Sequence, residues 1–200
     1  MPLTAAAAKA IIGRSGMDSL KIGLPPIARP DAQLFILGSL PGDASLAAGR
    51  YYAHPTNQFW RLLGQAIGEP LERRAYADRL GRLAACRIGL WDVIGSAKRH
   101  GSLDQAIRSA NSNALDRLLS DFPQVRAIAF NGTAASAAGR KILVGAAQLA
   151  LIDLPSSSAA NTRPFAEKAA AWAVLGKYVG GALAPDARPS NIGGDDSDGG

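Results

Sequence analysis

Two hundred residues with 48% hydrophobic content suffice for one domain with a full core and leave little room for a second. The formal net charge is +6 although Asp195, Asp196 and Asp198 fall in the last ten residues, so the rest of the chain is basic enough to suit a polyanionic partner as well as an ordinary solvated surface. A single cysteine, Cys86, excludes an internal disulfide and a cysteine-held iron–sulfur cluster, and with only His54 and His100 beside it the composition argues against structural zinc.

The Ala-rich start, residues 4–12, lacks a leading basic cluster and a long apolar run, so it reads as a short helix and not as a signal peptide. Residues 1–30 are thus expected to form a helical extension, 31–182 one domain, and 183–200, rich in Gly, Asp and Ser, a disordered acidic tail. No run reaches the roughly 20 apolar residues needed to span a bilayer, and cytoplasmic residence is the default.

Within the domain, four short apolar runs have the length of buried strands: 33–37, 86–90, 125–130 and 148–154. Cys86, in such a run, reads as a core thiol. Helical spacing is expected over 57–67, 71–84, 112–119, 133–143 and 165–178. Strands alternating with helices predict an α/β fold, three layers α/β/α around a central four-stranded parallel sheet. Right-handed crossovers then gather the loops 38–57, 91–101, 131–133 and 155–164 on one edge, where open sheets of this class hold ligands.

The first of those loops carries the densest chemistry. It opens as Gly38-Ser-Leu-Pro-Gly42 and continues through Tyr51, Tyr52, His54, Asn57, Phe59 and Trp60. Flat rings interleaved with hydrogen-bonding groups suit a planar polar ligand such as a nucleobase. No Gly-x-Ser-x-Gly elbow and no Gly-Lys-Ser/Thr phosphate loop is present, which sets aside a serine hydrolase and a P-loop nucleotidase.

These residues resemble the uracil-DNA glycosylase superfamily. Gly38-Ser-Leu-Pro-Gly42 is similar to its first signature, and the run from Tyr52 to Trp60 is similar to the segment that follows it in mismatch-specific uracil/thymine glycosylases. Leu154-Pro-Ser-Ser-Ser-Ala-Ala-Asn161 resembles the second signature, a Pro-Ser loop that enters the minor groove. The strand ending in Asn131-Gly132 matches the step ahead of it, so the resemblance covers about residues 34–178. The Gly-Ser-Leu-Pro and Leu-Pro-Ser-Ser-Ser forms look most like the hypoxanthine-DNA glycosylase branch. The resemblance implies hydrolysis of the N-glycosidic bond of a deaminated base in DNA, without cofactor or metal. A monomer that does not engage membranes is expected. Two positions depart from the pattern. Leu40 stands where many members place a water-positioning Asp or Asn, and Leu154 where the second signature often begins with His or Asn.

Extruding a base costs a few kcal/mol, and cleavage builds positive charge on the sugar and negative charge on the base. Tyr52 is the candidate stacking platform, worth about 1–3 kcal/mol per base, unless it is a core residue. Asn57 is the candidate catalytic amide by the resemblance, and equally a helix cap. Asp43 can supply the carboxylate that Leu40 is not, or merely a turn. His54 can act as an acid toward the leaving base, or hold its own loop. Candidate base-binding groups are Ser39, Leu40 and the neighbouring backbone amides, with Trp91, Asp92 and Asn131. Gly42, Pro155, Ser156, Ser157, Ser158, Asn161, Arg163, Lys98 and Arg99 are the candidate DNA contacts. The expected activity is a monofunctional DNA glycosylase acting on uracil, hypoxanthine or xanthine. The alternatives are a catalytically weak protein that binds damaged or abasic DNA, and a hydrolase of free nucleosides.

Overall fold

A computed structural model describes residues 19–179, so the expected helix over 4–12 and the acidic tail lie outside the described residues. The four apolar runs become strands β2 (Leu34–Gly38), β3 (Ile88–Asp92), β6 (Ala127–Asn131) and β7 (Ala150–Leu154). They pair in parallel in the order β3-β2-β6-β7. All five residues of β2 are buried. That follows from its central place, since a parallel strand covered on both faces needs apolar residues at every position.

The alternation along β2 sorts the core into two layers. Leu34 and Ile36 pack with α2 (Phe59–Ile67), α3 (Tyr76–Ala85) and α6 (Phe165–Trp172), through Leu62, Leu83 and Trp172. Phe35 and Leu37 face the opposite layer, with Leu115 and Leu118 of α4 (Leu115–Asp121) and Ala135 of α5 (Thr133–Ile142). The three-layer α/β/α arrangement around a four-stranded parallel sheet is thus the observed fold.

Several boundaries differ from expectation. Helix 71–84 divides into a 3-10 turn, Leu71–Arg73, and α3, while α6 gives way to a 3-10 segment, Ala173–Tyr178. Ser112 belongs to a strand rather than to the following helix. A short helix, α1 (Asp43–Ala48), lies within the expected first loop and stops at Gly49, whose φ of 59° is the left-handed turn that glycine accepts without strain.

The larger difference is a second sheet. β1 (Ser19–Ile22), β4 (Ile94–Arg99) and β5 (Ile107–Ser112) pair antiparallel in the order β1-β4-β5. The loop expected over 91–101 is therefore mostly strand, and residues 19–22 of the expected helical extension are strand too. Two register shifts within the β4–β5 pair, at Ile94/Ser96 and Ser96/Lys98, break the alternation that would have marked a strand. This sheet has its own small core, in which Ile94, Ala97 and Ile107 enclose Leu40.

Candidate active site

Because the four strands run the same way, their last residues, Gly38, Asp92, Asn131 and Leu154, stand at one edge. Gly38 is opposite Asp92 and Asn131 is opposite Leu154. At Gly38 a Cβ would overlap Asp92 Oδ1 and lie 3.2 Å from the Tyr52 hydroxyl. Glycine is required there so that both side chains can converge on the strand end.

Asp92 is only 3% exposed, and its Oδ2 has no hydrogen-bond partner. Burial pushes the carboxyl up to about 7, the Asp104 charge adds to the rise, and Arg99 opposes it. Tyr52 sits in the left-handed region with φ 53°, a strained setting for a bulky residue. Its ring stacks on Phe59 with centroids 3.6 Å apart and planes 9° apart. The Tyr52 hydroxyl is likewise buried and meets no hydrogen bond of ordinary geometry; burial first, then Asp92, raises its pKa above the ordinary phenol value, and the nearby Asn131 side chain opposes the rise.

Trp91 follows the alternation of β3 to the other side, where it packs against the Phe35 and Leu37 layer, away from Asp92. Leu40 turns its side chain into the small core of the second sheet. Ser39 is buried, and its hydroxyl donates to Asp104 Oδ1 at 2.5 Å. Asn131 is fastened twice: its amide donates to Ser157 Oγ at 2.9 Å and its Oδ1 accepts the Ser157 N–H at 2.8 Å.

Asn57, His54 and Thr56 form the turn ahead of α2. Asn57 Oδ1 accepts the Phe59 N–H at 3.0 Å, so the amide satisfies the first N–H of α2 from one place ahead of the N-cap residue, Gln58. His54 Nδ1 lies 2.9 Å from Thr56 Oγ1 and holds the turn. Both residues border a cavity of about 660 Å³ shared with Tyr52, Trp60, Tyr76 and Arg79, whereas Asp92 and Ser39 do not line it. Tyr52 meets both the cavity and the Asp92 end, and Tyr51, which lines the same cavity, also interacts with Asp92. Asp43 is paired with Lys21 at 2.8 Å and opens α1 behind Gly42.

Two expected DNA contacts are corrected. Arg99 is fully buried: it donates to the carbonyls of Gly101 at 2.9 Å, Leu40 at 3.1 Å, and Pro41, and so binds the first signature to the second sheet. Ser157 is 1% exposed, held by Asn131, and its carbonyl accepts the Gln58 N–H at 2.9 Å. Both side chains are out of reach of a phosphate. Lys98 and Arg163 are exposed, and Ser156 and Ser158 are half-buried on the same edge. The Pro155 carbonyl accepts the Trp172 indole N–H at 3.0 Å, and Asn161 Nδ2 donates to the Ser156 carbonyl at 3.2 Å.

Two residues at the site escaped the sequence reading. Asp104 comes from a 3-10 turn, Asp104–Ala106, joining β4 to β5, and nothing in its local sequence marks it. Lys168 is 1% exposed and donates to Gln58 Oε1 at 3.0 Å and to the Asn161 carbonyl at 2.7 Å. Its signal was present: it shares the buried face of α6 with Ala169 and Trp172.

Comparison with known proteins identifies the family to which this fold belongs. The model of the Uracil DNA glycosylase superfamily matches residues 25–176. A hypoxanthine DNA glycosylase of Methanosarcina barkeri is 40% identical over 153 residues, covering 76% of this chain and 96% of its own. A hypoxanthine DNA glycosylase of Methanosarcina acetivorans is 38% identical over 159 residues, covering 80% and 99%. The solution NMR structure of a candidate uracil DNA glycosylase from Methanosarcina acetivorans superposes with a TM-score of 0.71 at 38% identity, covering 80% of this chain and 98% of that one. The chain therefore belongs to the uracil DNA glycosylase superfamily and is a DNA glycosylase.

Proposed function

We propose that the protein removes a deaminated base, hypoxanthine foremost and uracil or xanthine by the same contacts, after the base has been flipped out of DNA. The observation that carries this reading is Asp92: a carboxyl buried at the sheet edge, one oxygen unpartnered, held near neutral protonation beside Tyr52. Deamination of adenine puts a hydrogen on N1 and a carbonyl at C6. An ionised carboxylate accepts from that N1–H, and a protonated one also donates to the carbonyl. Adenine offers a lone pair at N1, which an ionised Asp92 repels and a protonated one accepts as a partner, so discrimination against adenine belongs to the ionised form. Uracil and xanthine present the same N–H beside a carbonyl. The two 38–40% identical relatives named for hypoxanthine support that base as the first substrate.

In this reading the Tyr52 ring, backed by Phe59, stacks on the extruded base. Asn57 contacts the base or sugar while its oxygen caps α2. His54 attends the leaving base. Ser39, Gly42 and the backbone around Leu40 attend the base from the strand end beside Asp92, and Asn131 keeps the Pro-Ser loop in place through Ser157. Ser156, Ser158, Asn161, Arg163 and Lys98 flank the DNA backbone. The chemistry is hydrolysis without a Schiff base: neither residues 38–60 nor residues 154–161 contain a lysine, and the buried Lys168 directs its ammonium to Gln58 and Asn161. The protein acts as a monomer in the cytoplasm. No helix among the described residues is long and apolar enough to cross a membrane.

The test is a panel of duplex and single-stranded oligonucleotides, each with one hypoxanthine, uracil or xanthine, with abasic products cleaved by alkali. Hypoxanthine is expected to be released fastest. Release of none would overturn the reading, and tight binding to abasic DNA without turnover would replace it with a damage-binding role.

A further inference from the structure

The position where a water-holding side chain is usual in the first signature is Leu40, and the structure explains why it is apolar. Leu40 is 5% exposed and closes the small core formed by Ile94, Ala97 and Ile107, so a carboxylate there would be buried without a partner. The same second sheet returns a carboxylate to the neighbouring residue. The turn between β4 and β5 brings Asp104 to the Ser39 hydroxyl, 2.5 Å from Oδ1 across 65 positions of sequence. Ser39 is itself fixed, since its carbonyl accepts the Ile94 N–H at 2.9 Å.

Three further observations place Asp104 at the reacting end. Its charge reaches both Asp92 and Tyr52, the two groups whose unpartnered oxygens converge at Gly38. The residue is exposed, so the carboxylate oxygen not held by Ser39 can meet water. Among the described residues it makes no direct ion pair and feels the buried Arg99 only at longer range, whereas Asp43, the other carboxylate near the signature, is bonded to Lys21 at 2.8 Å.

We propose that Asp104, fixed by Ser39, is the carboxylate that holds and deprotonates the attacking water. This rests on the base-excision reading above. The water oxygen bonds to C1′ of the deoxyribose while the C1′–N bond breaks and its electron pair departs with the base. Asp104 takes the proton lost by the water and later releases it to solvent, and the departing base takes up one proton. Before the water attacks, the same negative charge complements the positive charge developing on the sugar. Ser39 is a positioning residue: its hydrogen occupies Oδ1 and leaves Oδ2 for the water.

Single-turnover excision of hypoxanthine from a duplex tests the assignment, with wild type, Asp104→Asn, Asp104→Glu and Ser39→Ala compared. Asparagine keeps an acceptor for Ser39 but is no base, so Asp104→Asn is expected to slow excision by at least about 100-fold and to flatten the acid side of the pH profile. Asp104→Glu is expected to recover part of the rate, and Ser39→Ala to lose roughly 10-fold. Affinity for duplex carrying an abasic-site analogue, and the melting midpoint, are expected to stay at wild-type values for Asp104→Asn. An Asp104→Asn protein with the wild-type rate and pH profile overturns the assignment and leaves base excision standing. A wild type that releases no deaminated base overturns both.

Discussion

Gly38 and Asp92 share one volume, because the Asp92 carboxyl fills the space that a side chain at residue 38 would need. β2 and β3 are locked at this level by their register, so neither strand can slide to relieve an added methyl. Gly38→Ala is therefore expected to push Asp92 or Tyr52 out of place, at a cost of about 1–3 kcal/mol in stability. Excision of hypoxanthine is expected to fall by at least about 10-fold, since small displacements of positioned groups are expensive in rate. Wild-type excision by Gly38→Ala would show that Asp92 does not need its present position.

Asp92 makes stability depend on pH in an unusual direction. Its folded carboxyl titrates near 7, well above the ordinary value of 3.8 expected when the chain unfolds. The folded protein thus binds the proton more tightly than the unfolded chain. The contribution is fully present below about pH 4, is lost as pH rises through 7, and amounts to as much as about 4 kcal/mol. Asp92→Asn has nothing to titrate there. Urea unfolding is expected to show the variant gaining on the wild type steadily from about pH 4 to about pH 8. A constant difference across that range would mean that Asp92 is ionised throughout in the folded protein.

Arg99 and Lys98 are neighbours in β4 with opposite fates, one fully buried and the other exposed. Lysine at 99 cannot reproduce the guanidinium fork that spans the carbonyls of Leu40, Pro41 and Gly101. Arg99→Lys is expected to cost about 2–4 kcal/mol of stability while leaving the salt dependence of DNA binding at its wild-type slope. Lys98→Ala is expected to do the reverse, with little change in stability and a salt slope shallower by about 1. Melting curves and binding isotherms at several salt concentrations separate the two. A shallower slope for Arg99→Lys at unchanged stability would return Arg99 to the DNA interface.

The parallel sheet was legible because its strands are buried on both faces and read as unbroken apolar runs, Leu34–Gly38 most clearly. The antiparallel sheet was not. β4 mixes Gly95, Ser96, Lys98 and Arg99 with only two aliphatic contacts to its core, and its register shifts erase the period of two. That omission carried the errors in the site. Without β4, Arg99 reads as one of a surface basic cluster, and without the β4–β5 turn Asp104 has no visible connection to Ser39. Leu40 likewise read as a missing polar residue, when it is the residue the second sheet needs. The Asn131–Ser157 fastening joins residues 26 apart through two loops, and only the paired strands β6 and β7 bring it together.

Lys168 holds two parts of the site together with a charge that meets no carboxylate in its hydrogen bonds. Its ammonium donates to Gln58 Oε1, just ahead of α2, and to the Asn161 carbonyl in the Pro-Ser loop. Burial, and secondarily Arg163, pull its pKa below the ordinary lysine value, so part of the energy of those bonds is offset by desolvation. Lys168→Met keeps an apolar stem on the buried face of α6 and removes both the bonds and the buried charge. The two effects oppose each other, and the net change in stability is expected to stay within about 2 kcal/mol. The loop, in contrast, loses its tether. Faster amide exchange at Asn161 and Arg163 and about 10-fold weaker binding to hypoxanthine-containing duplex are the expected outcomes. Unchanged exchange with intact binding would mean that the Asn161 side chain, through the Ser156 carbonyl, holds the loop without help from Lys168.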